Sequence, residues 1–119
     1  MNKDFYKLGI PITIIFVLLC SYMALASEEE IIKIQGVMMS LDLKKNVVIV
    51  NERLFVLNQN TAIHNDKGVA ITIDKLKPNT WVYIEGLKDS TNRRIVARKI
   101  YLLPKYIKEK EKHLYPFIQ

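Results

Sequence analysis

A chain of 119 residues, half of them hydrophobic, has room for one domain with one modest core and not for two. Its single cysteine, Cys20, excludes an internal disulfide framework and a cysteine-based zinc site. A formal charge of +6 points to acidic partners and away from basic ones, although solubility alone also accounts for it.

The start of the chain is organised for export. Met1 to Lys7 carries Lys3, Lys7 and one acid, Asp4, and Leu8 to Ala26 then runs without a charge. The run closes on Ala24-Leu25-Ala26, small residues at the two positions a signal peptidase reads, followed by Ser27 and Glu28-Glu29-Glu30. This pattern predicts a helical secretory signal over residues 1–26, cleaved after Ala26. An uncleaved membrane anchor is the alternative, but Pro11 and Ser21-Tyr22 leave only Ile12 to Cys20 as clean apolar core, short for a span. A lipidated Cys20 would need a small residue before it, where this chain has Leu19. The expected location is therefore periplasmic or secreted, or membrane-anchored if the segment stays. Cleavage leaves 93 of the 119 residues, and losing Lys3, Lys7 and Asp4 takes the charge from +6 to +5.

The remainder reads as strands. Ile31 to Leu43 is the first, with apolar positions at Ile32 and Ile34 and then at Val37, Met39 and Leu41. Parity changes at Gly36, which predicts a β-bulge there. Lys44-Lys45-Asn46 is a turn, Val47 to Val50 a second strand, Asn51-Glu52 a two-residue turn and Arg53 to Leu57 a third strand. Asn58 to Asn79 is less regular, with short extended pieces at Thr61–Ile63 and Val69–Ile73 and one helical turn at Asp74-Lys75-Leu76. Lys77-Pro78-Asn79-Thr80 is a tight turn with Asn79 in the left-handed position. Trp81 to Glu85 alternates strictly and Gly86 ends or kinks it; Asp89 to Arg94 is a loop; Ile95 to Leu103 is the last strand, stopped by Pro104. The tail, 105–119, mixes Lys and Glu with Tyr106, Ile107, Leu114, Tyr115, Phe117 and Ile118. Five principal strands with mostly short connections predict an all-β fold: a small five-stranded OB-like barrel over 27–104, after the signal and before the tail. An open antiparallel sheet is the alternative.

These residues resemble a family of small exported bacterial domains of unknown function, predicted to form OB-like barrels. The pattern is Gly36-Val37, the hairpin Val47 to Leu57, Thr61-Ala62-Ile63, Leu76-Lys77, Val82-Tyr83-Ile84-Glu85-Gly86 and Ala97-Arg98-Lys99-Ile100, covering about Ile34 to Leu103. Asn79 stands where that family usually has Gly, and Asn tolerates the same backbone. Every element of the pattern has a structural job. The resemblance implies a fold and an exported location and carries no catalytic residues.

Chemistry is sparse. His64 and His113 lie far apart, with no His-x-x-x-His spacing, so no metal is expected. A weak oxygen-rich ion site at His64-Asn65-Asp66 is conceivable, but those residues also suit a turn. No serine or threonine sits in a nucleophile motif, no spacing pairs the carboxylates, and no glycine loop cradles phosphate. A small hydrolase is thus disfavoured, and no cofactor is expected. Three features rise above background. Trp81, Tyr83, Arg98, Lys99 and Tyr101 combine aromatics with cations on one strand pair, either as a stacking platform or as ordinary cross-strand pairs. Arg93-Arg94 could grip an anion with forked donors, or be a solvated loop. The tail either folds back on the barrel or docks a partner. The expected function is a non-enzymatic binding or envelope-maintenance module. Its partner would be an envelope protein or an anionic envelope component, and nucleic acid is not expected. The alternative is an anionic glycan or lipid-head-group binder using the aromatic-basic face.

Overall fold

The computed structural model describes residues 29–118; the expected signal, 1–26, lies outside them. The strands are β1 (Glu29–Asp42), β2 (Val47–Val50), β3 (Arg53–Val56), β4 (Ala62–His64), β5 (Trp81–Asp89) and β6 (Ile95–Leu103), with 3₁₀ turns at Ile73–Lys75 and Glu109–Leu114. Among the described residues no helix is long and apolar enough to cross a membrane.

Asparagine makes the tight corners. Asn46, Asn51 and Asn79 take φ of 56°, 49° and 67°, values that Asn tolerates better than most residues. Asn51 and Glu52 both have positive φ, so the β2–β3 hairpin turns in the primed sense that matches strand twist. The strands follow the order β3-β2-β1-β5-β6-β4, and β3 also returns to β6. That return is parallel, at Val56 opposite Val96, and it closes five strands into a ring. β4 lies outside the ring, parallel to β6, with Ile63 opposite Ile100. The mostly-strand, barrel-like architecture agrees with the sequence expectation.

The ring encloses an apolar core. Phe55, Met38, Val48, Val50, Val82, Ile84 and Ile100 are fully buried in it. Leu76, just after the first 3₁₀ turn, joins them. Thr61 ties the loop after β3 to the ring: its hydroxyl donates to the Ala97 carbonyl at 2.7 Å and accepts from the Asn58 N–H at 3.0 Å. The extended piece expected at 69–73 reduces to a bridge between Ala70 and His64 and a bond from Ile71 N–H to Ile63 O of 2.9 Å.

Gly36 acts differently from the sequence expectation, and Gly86 interrupts the β5 register without ending the strand. Gly36 is not the bulge: it sits in register opposite Val82. The shift on β1 falls between Met38 and Ser40, which oppose Val50 and Ile49. Met39 is the extra residue, so Met38 is core and Met39 is exposed, the reverse of the expected facing. Gly36 is needed for close approach instead. A Cβ there would lie 2.7 Å from Asn51 Cγ, and the Asn51 amide donates to Gln35 O at 3.1 Å. Gly86 does not end β5, which runs on to Asp89. It sits at a second register shift, where Glu85 faces Lys99 and Gly86 faces Ala97, leaving Arg98 as the extra residue. A Cβ on Gly86 would meet Ile95 Cγ2 at 2.8 Å and Phe55 Cδ2 at 3.2 Å, so the backbone packs directly on the core ring.

Gly36→Ala should cost about 1–3 kcal/mol, because the new methyl must displace the Asn51 side chain. Adding Asn51→Gly keeps the positive φ and removes the clash. Denaturant midpoints of the single and double variants should therefore show recovery of most of that loss. Independent, additive effects would place the strain elsewhere.

Candidate functional site

The seven residues singled out in the sequence fall in two places. The first is the outer face of β5 and β6, and the tail covers it. Across the strands Gln35 opposes Tyr83, Tyr83 opposes Tyr101, and Tyr101 opposes His64. Phe117 stacks on Tyr101 with centroids 4.0 Å apart, and His64 stacks on it at 4.6 Å. Tyr83 is 2% exposed and Tyr101 9%. Trp81 is half-buried and packs against Tyr106 of the tail. Tyr83, Tyr101, Leu103, Ile107 and Ile118 form a second core of their own. The aromatic part of the expected platform is therefore the floor of a packed layer and not an open surface. Arg98, on the bulge, and Lys99, opposite Glu85, remain exposed on β6.

Gln35 aligns the tail, and the sequence reading passed over it. Its side-chain oxygen accepts from Ile107 N–H at 2.9 Å and its amide donates to Ile107 O at 3.1 Å. One side chain thus gives the tail backbone the two bonds that a neighbouring strand would give. Lys105 pairs with Glu111 at 2.9 Å and Lys112 with Glu109 at 2.8 Å, holding the tail's own turn. The Lys105 ammonium holds the Glu111 carboxyl below its ordinary value, and the same bond raises Lys105.

The second place is a groove at one edge of the ring, called its mouth below. β2 pairs with β1 only from Met38 onward, so the first half of β1 has β5 as its ladder partner, from Glu29–Asp89 to Val37–Trp81. A groove of about 650 Å³ opens between this arm and β3. Ile32, Val47, Leu54, Val56 and Ile95 give it an aliphatic lining. Arg53 from β3, Lys88 from β5, and Arg93 and Arg94 from the β5–β6 loop rim it, with Glu30 as the one lining acid. Four cations against one carboxylate leave a local excess of +3. Among the described residues none of the four cations is in an ion pair; the two pairs found are those of the tail.

The loop that carries the two arginines is tied down by its acid and amide. The Asp89 carboxylate accepts from the Thr91 hydroxyl at 2.7 Å and from Thr91 N–H at 2.9 Å. These bonds, the hydroxyl first, hold the Asp89 carboxyl below its ordinary value. Arg93 N–H bonds Asp89 O at 2.9 Å, and Asn92 Oδ1 accepts from Arg94 N–H at 3.0 Å. Arg93 takes φ of 57°, a left-handed backbone that a glycine would occupy more cheaply. Sequence reading found Arg93-Arg94 but not Lys88, which the hairpin register sets beside them, or Arg53, which joins them through ring closure. By contrast, the Asn65 side chain makes a turn: its oxygen accepts from Lys67 N–H at 2.9 Å and Val69 N–H at 3.0 Å.

No family model and no curated protein matches the sequence. Among solved structures the chain is similar to the fimbrial biogenesis protein PilY2 from Pseudomonas aeruginosa, at 22% identity and a TM-score of 0.48, over 62% of this chain and 88% of that one. It is also similar to apo-CusF residues 6–88 from Escherichia coli, at 11% identity and a TM-score of 0.47, over 65% of this chain and 92% of that one. Neither likeness carries a function to this chain.

Removing the tail after Pro104 should leave a folded ring with a lower melting temperature. Ile107 and Ile118 are buried, each contributing about 1.5–3 kcal/mol, so the midpoint should fall by at least about 10 °C. An unchanged melting curve would mean the tail does not hold this position in solution. The Glu111–Lys105 pair acts in one pH direction. Its stabilisation is complete above the ordinary carboxylate range and is lost as pH falls through the depressed Glu111 value. Glu111→Gln should therefore lower the melting temperature slightly near neutrality and flatten the acid limb, the variant and the parent converging at low pH. Because the pair is exposed, the difference should be small and salt-sensitive.

Proposed function

We propose that this protein is an exported, non-enzymatic binding module of the cell envelope, whose ligand site is the basic mouth of an OB-like barrel. The observation that carries the reading is the convergence of Arg53, Lys88, Arg93 and Arg94 on one aliphatic groove. Concave surfaces with an apolar lining and a few convergent polar groups are favoured places for ligand sites, and forked guanidinium donors match carboxylate and phosphate. The OB-like assignment is supported by the meander β1-β2-β3, the parallel return of β3 to β6 and the bulged first strand. Export rests on the charged start, apolar middle and Ala24-x-Ala26 exit of the sequence. Among the described residues the lining of the mouth contains no Ser, Thr, Cys or His and one carboxylate, which suits holding an anion better than attacking a bond.

The aromatic-basic face is the weaker candidate for a glycan or head group. A ligand would have to displace Phe117 from Tyr101 and break both Gln35–Ile107 bonds before it could stack.

Backbone amide shifts recorded while titrating the protein with inorganic phosphate and with acidic oligosaccharides should move at the mouth. Arg53→Gln combined with Arg94→Gln should weaken that binding about tenfold or more, since two charge-assisted contacts are lost. Shifts at Trp81 and Tyr101 with none at the mouth would overturn the assignment in favour of the aromatic face. No shifts with any anion would remove the anion-binding reading altogether.

A further inference from the structure

The groove's lining says which kind of anion fits. All five apolar side chains at the mouth, Ile32, Val47, Leu54, Val56 and Ile95, are aliphatic. Ligands with flat faces, sugars and nucleobases among them, are held by aromatic rings, and among the described residues no ring lines this groove. The rings of Trp81, Tyr83, Tyr101 and Phe117 are gathered instead on the outer face of β5 and β6 with the tail. Leu54 is 50% exposed at the edge of the mouth, so a strand residue offers aliphatic surface to whatever enters. Above it the cations outnumber the acid by three. An aliphatic floor beneath an unneutralised basic rim is complementary to a molecule with the same division: an alkyl chain ending in a compact anion.

We propose that the mouth binds single-chain anionic amphiphiles, with a phosphate head held by Arg53, Lys88, Arg93 and Arg94 and the alkyl chain laid along the aliphatic floor. The inference rests on the mouth being the ligand site, and it adds the ligand's chemical class. Arg93 fits this role on separate grounds. Its left-handed backbone favours glycine, so an arginine there is kept at a conformational cost. Strained positions of this kind gather at ligand sites.

Two parts of the proposal separate experimentally. The protein purified from expressing cells would be titrated by calorimetry with decyl phosphate below its micelle concentration, with inorganic phosphate and with decyl maltoside. Decyl phosphate should bind at least about tenfold tighter than inorganic phosphate, equivalent to about 1.4 kcal/mol. The neutral detergent should bind weakly or not at all. Leu54→Asn, at a half-exposed position, should bring the affinity for decyl phosphate down towards that for inorganic phosphate. Arg93→Gly should fold as well as the parent or better, and should weaken both phosphate ligands. Equal affinity for decyl phosphate and inorganic phosphate would overturn the amphiphile and leave a plain anion site. Equal affinity for decyl phosphate and decyl maltoside would overturn it as nonspecific apolar binding. Binding to phosphatidylglycerol vesicles without binding to monomeric decyl phosphate would make the occupant a bilayer surface, also overturning it. Silence with every anionic probe would sink the mouth as ligand site as well.

Discussion

β5 is buried from both sides, and the rest of the structure is arranged around that fact. Val82 and Ile84 face the ring, while Tyr83 between them faces away, and all three are at most 2% exposed. An antiparallel strand in a small domain normally keeps one face in water. Here the outward row is made of Trp81 and Tyr83, with Tyr101 and Leu103 beside them on β6, and only a second layer can keep water from it. The tail is that layer. Its two fixed points are Gln35 at one end and Phe117 on Tyr101 at the other. A chain of this size without disulfides gains a second small core from an element that its ring does not need for closure.

This arrangement separates two kinds of adhesive surface. Aromatic area, the usual means of holding flat ligands, is consumed in joining the tail to the ring. Unpaired cations collect at the mouth, where the β5–β6 hairpin overhangs β3. The register shift at Gly86 permits that overhang. Its bare backbone packs on Phe55 and Ile95 while the ladder continues to Asp89. The hydrogen bonds of Asp89 and Asn92 then set the direction of the loop that carries Arg93 and Arg94.

Parts of this were legible in the sequence because they are local. The strand runs are rich in Val, Ile, Leu and aromatics and are bounded by Asn, Pro and Gly, and each boundary fell within a few residues of the observed element. The turn at Asn79 was readable from Pro78 and from the tolerance of Asn for positive φ. Gly36 was misread for an equally physical reason. A glycine in a strand signals either a bulge or a close approach, and the choice depends on what lies against it. Here that is Asn51, fifteen residues later in the β2–β3 turn. With Val37, Met38 and Met39 all apolar, alternation alone could not locate the true bulge.

The sequence by itself determined the strand inventory, the asparagine corners, the export-type leader as an expectation and the presence of an arginine pair in a loop. Tertiary structure decided what those pieces face. Ring closure through Val56 and Val96 brings Arg53 to the same groove as Arg93 and Arg94, and the β5–β6 hairpin register sets Lys88 beside them. The Gln35–Ile107 bonds, spanning 72 residues, turn a tail of mixed charge and aromatic residues into a cover. Periodicity records which side of a strand is apolar, because that depends on neighbours two residues away. It carries no record of which distant segment lies against that side. That depends on which pairing of the whole chain leaves the least apolar surface in water, and only the closed ring with its tail in place answers it.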